Sequence, residues 1–568
     1  MFDHKKYRPF QPIGLKDRQW PERTITAAPH WCSVDLRDGN QALVNPMSIE
    51  KKTRMFKLLV QLGFKEIEVG FPSASQTEYD FLRKLIDEHL IPDDVTVQIL
   101  TQARKELIER SFEALSGVKK AIVHVYNSTS TVQREQVFGL DRAGICEIAV
   151  QGARWLQEEA RKYPATDWTF QYSPESFTGT ELDFAVDICD AVLDVWQPQH
   201  GQKAIINLPS TVEMSTPNIF ADQVEWFCRQ LKQRQYVRIS LHTHNDRGCA
   251  VAAAELGLLA GADRVEGTLM GNGERTGNTD LVTMAMNLYS QGIDPKLDLS
   301  NIQEIITMVE ECTELPVHPR HPWAGELVYA AFSGSHQDAI RKSVKYHTDH
   351  QLPHWEVAYL PIDPRDLGRQ YEAVVRINSQ SGKGGVALIL ERDYGIHLPK
   401  WMHGHLSRVV QKVSETTGKE VPSLRIKSLF EQHFNYVPTD WTLSHYELRA
   451  HGQEVQAEFV IGSKSLHGQG HGVVEALCDA LGKYTGIRPE VSQFDESSMS
   501  VGTTAEAMSC VELQVDDQVI AAVAHSGDIS TAALQAVLTA FSRSHHIVAL
   551  SQTGQQTEPS IQKAAASL

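Results

Sequence analysis

The sequence lacks the marks of several protein classes. It has no CxxC pair: Cys32, Cys146, Cys189, Cys228, Cys249, Cys312, Cys478 and Cys510 are scattered, which argues against a zinc finger or disulfide framework and for reduced, buried thiols. No uninterrupted apolar stretch is long enough to span a bilayer, and the N-terminal residues include charged ones but no apolar core segment, so neither a membrane span nor a secretory signal is expected and a cytoplasmic location is. Positive charge is in deficit. The 54 Lys and Arg stand against 71 Asp and Glu, a formal net charge of -17. That disfavours nucleic acid and anionic membranes as partners, and anionic substrates would need a locally placed Arg, His or metal. The glycine-rich stretch Gly267–Asn278 has neither the Lys-Ser/Thr ending of a nucleotide loop nor a GxGxxG pattern.

What remains is a globular composition, 42% hydrophobic and 22% charged over 568 residues, a length that implies two to four domains. Residues 1–30 are polar and proline-bearing and read as an arm that wraps a core or another subunit. In 31–318 short apolar runs alternate with amphipathic stretches. The runs lie at Trp31–Leu36, Glu66–Val69, Thr96–Leu100, Ala121–Val125, Trp168–Tyr172, Ala204–Asn207, Val237–Leu241 and Asp263–Gly267. Stretches such as Ser48–Leu62 and Ala221–Gln233 read as helices, with Ser48 offering an N-cap hydroxyl. Eight strand–helix units predict an α/β catalytic domain, a (β/α)8 TIM barrel, with a doubly wound sheet as the alternative. The barrel is favoured because polar residues, from Arg37 and Asp38 to His242 and His244, fall at or just after the expected strand ends. Residues 319–428 are broken by prolines and read as connector subdomains, with a strand at Tyr371–Asn378 and a turn at Ser379–Gly385. Residues 429–550 read as a two-unit α/β regulatory domain: paired strands, a glycine-containing turn, then a helix, twice over. Residues 551–568 read as a disordered tail.

The strongest local signal is His242-Thr-His244-Asn-Asp246. Alternate residues of a strand share a side, so His242 and His244 enter one cavity, where imidazole nitrogens suit a divalent metal. Asp38 is the best third ligand, with Asp35 as an alternative for part of that role. Beside it, Arg37 offers a planar donor fork for a substrate carboxylate. Asn278 can give an amide oxygen to the metal or its water.

Five segments carry a further signal: Asp35-Leu-Arg37-Asp38-Gly39-Asn40-Gln41, Glu68-Val-Gly70-Phe71-Pro72, the His242–Asp246 motif, Gly271-Asn-Gly273-Glu274-Arg275-Thr-Gly277-Asn278 and Phe332-Ser-Gly334-Ser-His336-Gln337-Asp338. Together with Pro319-Arg-His321-Pro322 they resemble the 2-isopropylmalate synthase family, over nearly the whole chain. The resemblance implies condensation of acetyl-CoA with 3-methyl-2-oxobutanoate in leucine biosynthesis. It implies a divalent metal, magnesium first and manganese or zinc as alternatives, on Asp38, His242 and His244 with Asn278 in support. It further implies that Arg37 and Thr211 bind the 2-oxo acid and that Glu175 assists proton transfer near the acetyl group. His336 and Tyr359 would reach the active site of the partner in a homodimer. Leucine would act as feedback inhibitor at the C-terminal domain, for which Gly527, Ile529, Ala532 and Ala536, and the turn Gly468–Gly472, are the candidates. Homocitrate or citramalate synthesis is the enzymatic alternative, and a metal-binding, ligand-sensing module the non-enzymatic one.

Overall fold

Eight parallel strands close on themselves: β1 (His30–Ser33), β2 (Glu66–Gly70), β3 (Thr96–Gln102), β4 (Lys120–Ser128), β5 (Asp167–Glu175), β6 (Ala204–Ser210), β7 (Val237–Thr243) and β8 (Arg264–Gly267). Closure is made by β1, which pairs with β2 on one side and with β8 on the other, from His30 opposite Arg264 to Ser33 opposite Gly267. The fold is therefore the TIM barrel and not the doubly wound sheet. The computed structural model describes residues 3–199, 204–331, 333–369, 383–417, 421–436, 441–451, 454–498 and 506–552. The strand expected at Tyr371–Asn378, the start of the turn at Ser379–Gly385 and the tail from 553 onward lie outside the described residues.

All eight expected strands are present. The first is shorter than read: β1 ends at Ser33, and Asp35–Gly39 forms a single wide turn in which Gly39 N–H donates to the Val34 carbonyl (3.1 Å). The apolar Leu36 made the run look continuous. The helix Ile49–Leu62 starts where Ser48 accepts the Lys51 amide and stops at Gly63, whose φ of 104° few other residues tolerate. It turns Met55, Phe56, Leu59 and Leu62 toward the strands, a spacing of three and four that puts them on one face.

The barrel lumen is polar. Gln98 to Glu266, His124 to Glu68 and Gln171 to Glu266 are hydrogen-bonded across strands that are not neighbours, which places all five side chains inside. The arm lies on its own barrel: Arg18 grips Asp222 through two nitrogens (2.7 Å each), Trp20 Nε1 donates to the same carboxylate (2.9 Å), and the Gln19 and Trp20 amides donate to Glu225. Both acids stand on the helix Pro217–Gln230.

The chain divides into two compact units, Met1–Tyr329 with Ile362–Tyr371, and Ala330–Pro361 with Glu372–Leu568. The second unit holds four described helices before its sheets: Gly334–His350, Lys383–Tyr394, His403–Thr417 and Ser423–Phe434. Two antiparallel sheets follow, β9 (Leu443–His451), β10 (Glu454–Ile461) and β11 (Lys464–Gly470), then β12 (Glu490–Ser498), β13 (Ala507–Val515) and β14 (Gln518–Ser526). Each repeat ends in a helix, Val473–Thr485 or Ile529–Gln552. The repeat is thus three strands and a helix, not two strands and a helix. Of the stretch read as the ligand-receiving turn Gly468–Gly472, the first three residues are in fact the end of β11, with Gly468 opposite Ala457 and Gly470 opposite Val455, and only His471 and Gly472 bend into the following helix. Gly468 is there for close approach: a Cβ would sit 1.9 Å from the Ala476 carbonyl oxygen of the following helix. Strand β12 escaped notice because it is polar and exposed along its length. Among the described residues no helix is long and apolar enough to cross a membrane. All eight cysteines are unpaired; five are buried and three half-buried.

Candidate metal centre

The wide turn after β1 sets Arg37 and Asp38 at the C-terminal mouth of the barrel. It is braced from behind by Lys52, a fully buried lysine whose Nζ donates to the Leu36 carbonyl (2.9 Å) and pairs with Glu78. The other Glu78 oxygen accepts the Phe71 amide (3.2 Å), so one buried ion pair ties the loop after β1 to the loop after β2. Arg37 is held between Asp38 and Glu68.

His242, near the end of β7, and His244, one residue past it, face the same space with ring centroids 5.2 Å apart. Asp38 Oδ2 lies 3.3 Å from His242 Nε2 and 3.9 Å from His244 Nε2. One ligating atom from each residue falls within 4.8 Å of the others, and all three side chains are buried. Their ionisation follows. Burial opposes a charge on Asp38, but Arg37 and the histidines win and hold its carboxyl well below the usual range. Burial also opposes a charge on His242, and the carboxylates of Asp38 and Glu266 overcome it, raising that imidazole to about 9. Burial and the neighbouring His242 together push His244 down to about 4.

Three buried atoms here have no hydrogen-bond partner: Asp38 Oδ2, His244 Nδ1 and Asn278 Oδ1. Asn278 pairs with His244 in an isolated β-bridge and spends its Nδ2 on the Asn272 carbonyl (3.1 Å), leaving the amide oxygen free. Buried orphaned acceptors normally find a partner, and two imidazoles, a carboxylate and an amide oxygen are a donor set for a divalent cation. The residues present therefore fit a metal. Asp35 does not join them: its carboxylate accepts from the Ser33 hydroxyl (2.8 Å) and the Leu269 amide (3.0 Å), and burial pushes it up to about 7.

Glu175, the last residue of β5, accepts from the Ser128 hydroxyl. Thr211, just past β6, accepts the Ser176 amide on its hydroxyl (2.9 Å), so the loops after β5 and β6 are joined. Arg275 donates to the Thr211 carbonyl and to Asp246 (2.7 Å), adding the loops after β7 and β8. His336 and Tyr359 stand together in the second unit, rings stacked with centroids 4.2 Å apart. In the C-terminal repeat Gly527 and Ile529 are exposed, while Ala532 and Ala536 are buried. The helix start expected to receive a ligand carboxylate already has one of its own: Asp528 accepts the Thr531 amide (2.7 Å).

The sequence reading assigned no role to Lys52, Gln98, Arg264 or Glu266. Their signal was a charge or amide standing inside an otherwise apolar strand or helix face, as in Arg264-Val-Glu266.

Known proteins share this architecture in order along the chain. The HMGL-like family profile matches residues 28–309, the alpha-isopropylmalate synthase post-catalytic domain-like profile 326–391, and the LeuA allosteric (dimerisation) domain profile 419–545. The chain is 56% identical to the 2-isopropylmalate synthase of Alcanivorax borkumensis over 95% of its own length and 98% of that protein's. It is 55% identical to that of Rhodospirillum rubrum, over 94% of this chain and 98% of the relative. It is 50% identical to that of Clostridium acetobutylicum, over 95% and 99%. With such identity sustained through barrel, connector and C-terminal repeat, the chain belongs to the 2-isopropylmalate synthase family.

Proposed function

We propose that this chain condenses acetyl-CoA with 3-methyl-2-oxobutanoate and water to give (2S)-2-isopropylmalate and CoA, the first committed step of leucine biosynthesis. The observation that carries this reading is identity of 50% or more to three such synthases across nearly the full length of both chains. Asp38, His242 and His244, with Asn278 beside them, are the residues that would hold a divalent ion, magnesium before manganese or zinc. Such an ion supplies Lewis-acid polarisation of the ketone carbonyl and charge stabilisation for the developing alkoxide. Arg37, steadied by Glu68, and Thr211 bind the 2-oxo acid. Glu175 stands at the acetyl end and takes part in proton transfer from the methyl group. The carbon freed of its proton attacks the ketone carbon; water then cleaves the thioester and releases the CoA thiol.

The matched dimerisation domain supports a homodimer. Within it His336 and Tyr359 act on the partner's barrel, and leucine binds the C-terminal domain around Gly527, Ile529, Ala532 and Ala536 as feedback inhibitor. Mixed dimers of His336→Ala and Asp38→Ala chains test the first of these: one restored site in the hybrid is expected, and none would refute action in trans. Calorimetry of the whole enzyme with leucine tests the second. The reaction itself is tested by thiol release with a panel of 2-oxo acids. The expected result is the highest kcat/KM for 3-methyl-2-oxobutanoate; preference for pyruvate or 2-oxoglutarate would overturn the assignment.

A further inference from the structure

Glu266 lies wholly buried in the barrel lumen, and both of its oxygens are committed. Oε1 receives three donors: Arg264 Nη1 (2.6 Å), Gln171 Nε2 (2.6 Å) and Gln98 Nε2 (3.2 Å). Oε2 faces a single group, His242 Nδ1, at 2.9 Å. Arg264 is itself completely buried and held by Glu66, Ser240 and Gln98, so the carboxylate cannot turn. An ionised carboxylate only accepts hydrogen bonds. Nδ1 therefore keeps its proton, facing Glu266, and the nitrogen that gives up a proton to offer a lone pair is Nε2, the atom 3.3 Å from Asp38 Oδ2.

We propose that Glu266 is a positioning residue for the metal centre: its bond to His242 Nδ1 fixes the ring and the tautomer that offers Nε2 to a divalent cation. This rests on the ligand set given above. Carboxylate partners of ligating histidines act in this way generally, and their loss costs about 10- to 100-fold in metal affinity. Here the lumen makes the effect specific. In Glu266→Gln the three donors on the Oε1 side retain the amide oxygen, so the amide NH2 is turned toward His242. Nδ1 must then accept, the proton moves to Nε2, and the ligating lone pair is lost.

The test is the dissociation constant for manganese(II) alone, read from the free-ion electron paramagnetic resonance signal on the full-length dimer. Glu66→Gln is the control: Glu66 accepts from the same Arg264 and from Arg238 but does not touch His242. Expected is a rise of about 10- to 100-fold in Kd for Glu266→Gln and a wild-type Kd for Glu66→Gln. Wild-type affinity in Glu266→Gln overturns the proposal, and so does equal weakening in both variants, which would mean that the lumen network acts only as scaffold. If Glu266→Gln fails to fold, Glu266→Asp keeps the charge opposite Arg264 while drawing back from Nδ1, and wild-type affinity there overturns it equally. His242→Ala separates this result from the ligand assignment. Full manganese binding in that variant refutes the metal site itself, whereas lost binding there with normal binding in Glu266→Gln refutes only the role of Glu266.

Discussion

Replacing Lys52 by methionine probes how the mouth of the barrel is held. The lysine is wholly buried and its Glu78 partner is 15% exposed at the side chain. Removing one member of a buried pair leaves the other charge uncompensated, a cost of about 3–5 kcal/mol. Partial hydration of Glu78 puts the expectation at the lower end of that range. Neutralising the partner as well, in Lys52→Met/Glu78→Gln, removes the stranded charge while the glutamine oxygen can still accept the Phe71 amide. Coupling between contacting residues of this kind runs to about 0.5–3 kcal/mol, and the double variant is expected to recover about 1–2 kcal/mol of the loss. Activity follows a different course. Both variants take the donor from the Leu36 carbonyl, which fixes the turn carrying Arg37 and Asp38, so kcat is expected to stay down by about ten- to a hundredfold in each. The assay is urea unfolding followed by tryptophan fluorescence, where Trp31, buried beside β8, reports the barrel, with thiol release measured on the same samples. A loss below about 1 kcal/mol in the single variant, or costs that simply add in the double, would refute the reasoning.

Asp38→Ala and His242→Ala are each expected to abolish bound divalent metal, measured by elemental analysis of the folded protein; full occupancy in both variants contradicts the assignment. The metal-stripped chain should be most stable near pH 6.5. The stabilising charge on His242 is complete below its unfolded value of 6.5 and is lost as pH rises through about 9. His244 works oppositely, since its depressed value of about 4 means stability is lost as pH falls from 6.5 toward 4. His244→Asn should flatten the acid limb of a melting-temperature profile, and an unchanged limb would refute this. Gly468→Ala drives a methyl group to 1.9 Å from the Ala476 carbonyl oxygen; it is expected to destabilise the first C-terminal repeat by about 1–3 kcal/mol while barrel fluorescence melts as before. A wild-type melt of that repeat by hydrogen exchange would be the contrary result.

The sequence by itself determined most of the barrel's strands and helices, because a short apolar run and a three-and-four spacing are local signals that need no partner to be read, whereas closure rests on the pairing of β1 with β8. It also made the candidate metal ligands legible: a His-x-His at the end of one strand names its own shared side, and an Arg-Asp in the turn after another supplies the opposite charge. Tertiary structure alone decided the rest. That β1 stops at Ser33 depends on a backbone bond from Gly39 back to Val34, which an apolar Leu36 disguises. That Asp38 and not Asp35 faces the histidines depends on the Leu269 amide, 234 positions away along the chain, which engages Asp35. The lumen network of Glu68, Gln98, Gln171, Arg264 and Glu266 joins residues from four strands, and no local pattern encodes which of them meet. In the C-terminal domain Gly468 and Gly470 read as a turn, since glycine favours turns. Only the helix laid directly against β11 shows that they are strand residues chosen for their lack of a side chain.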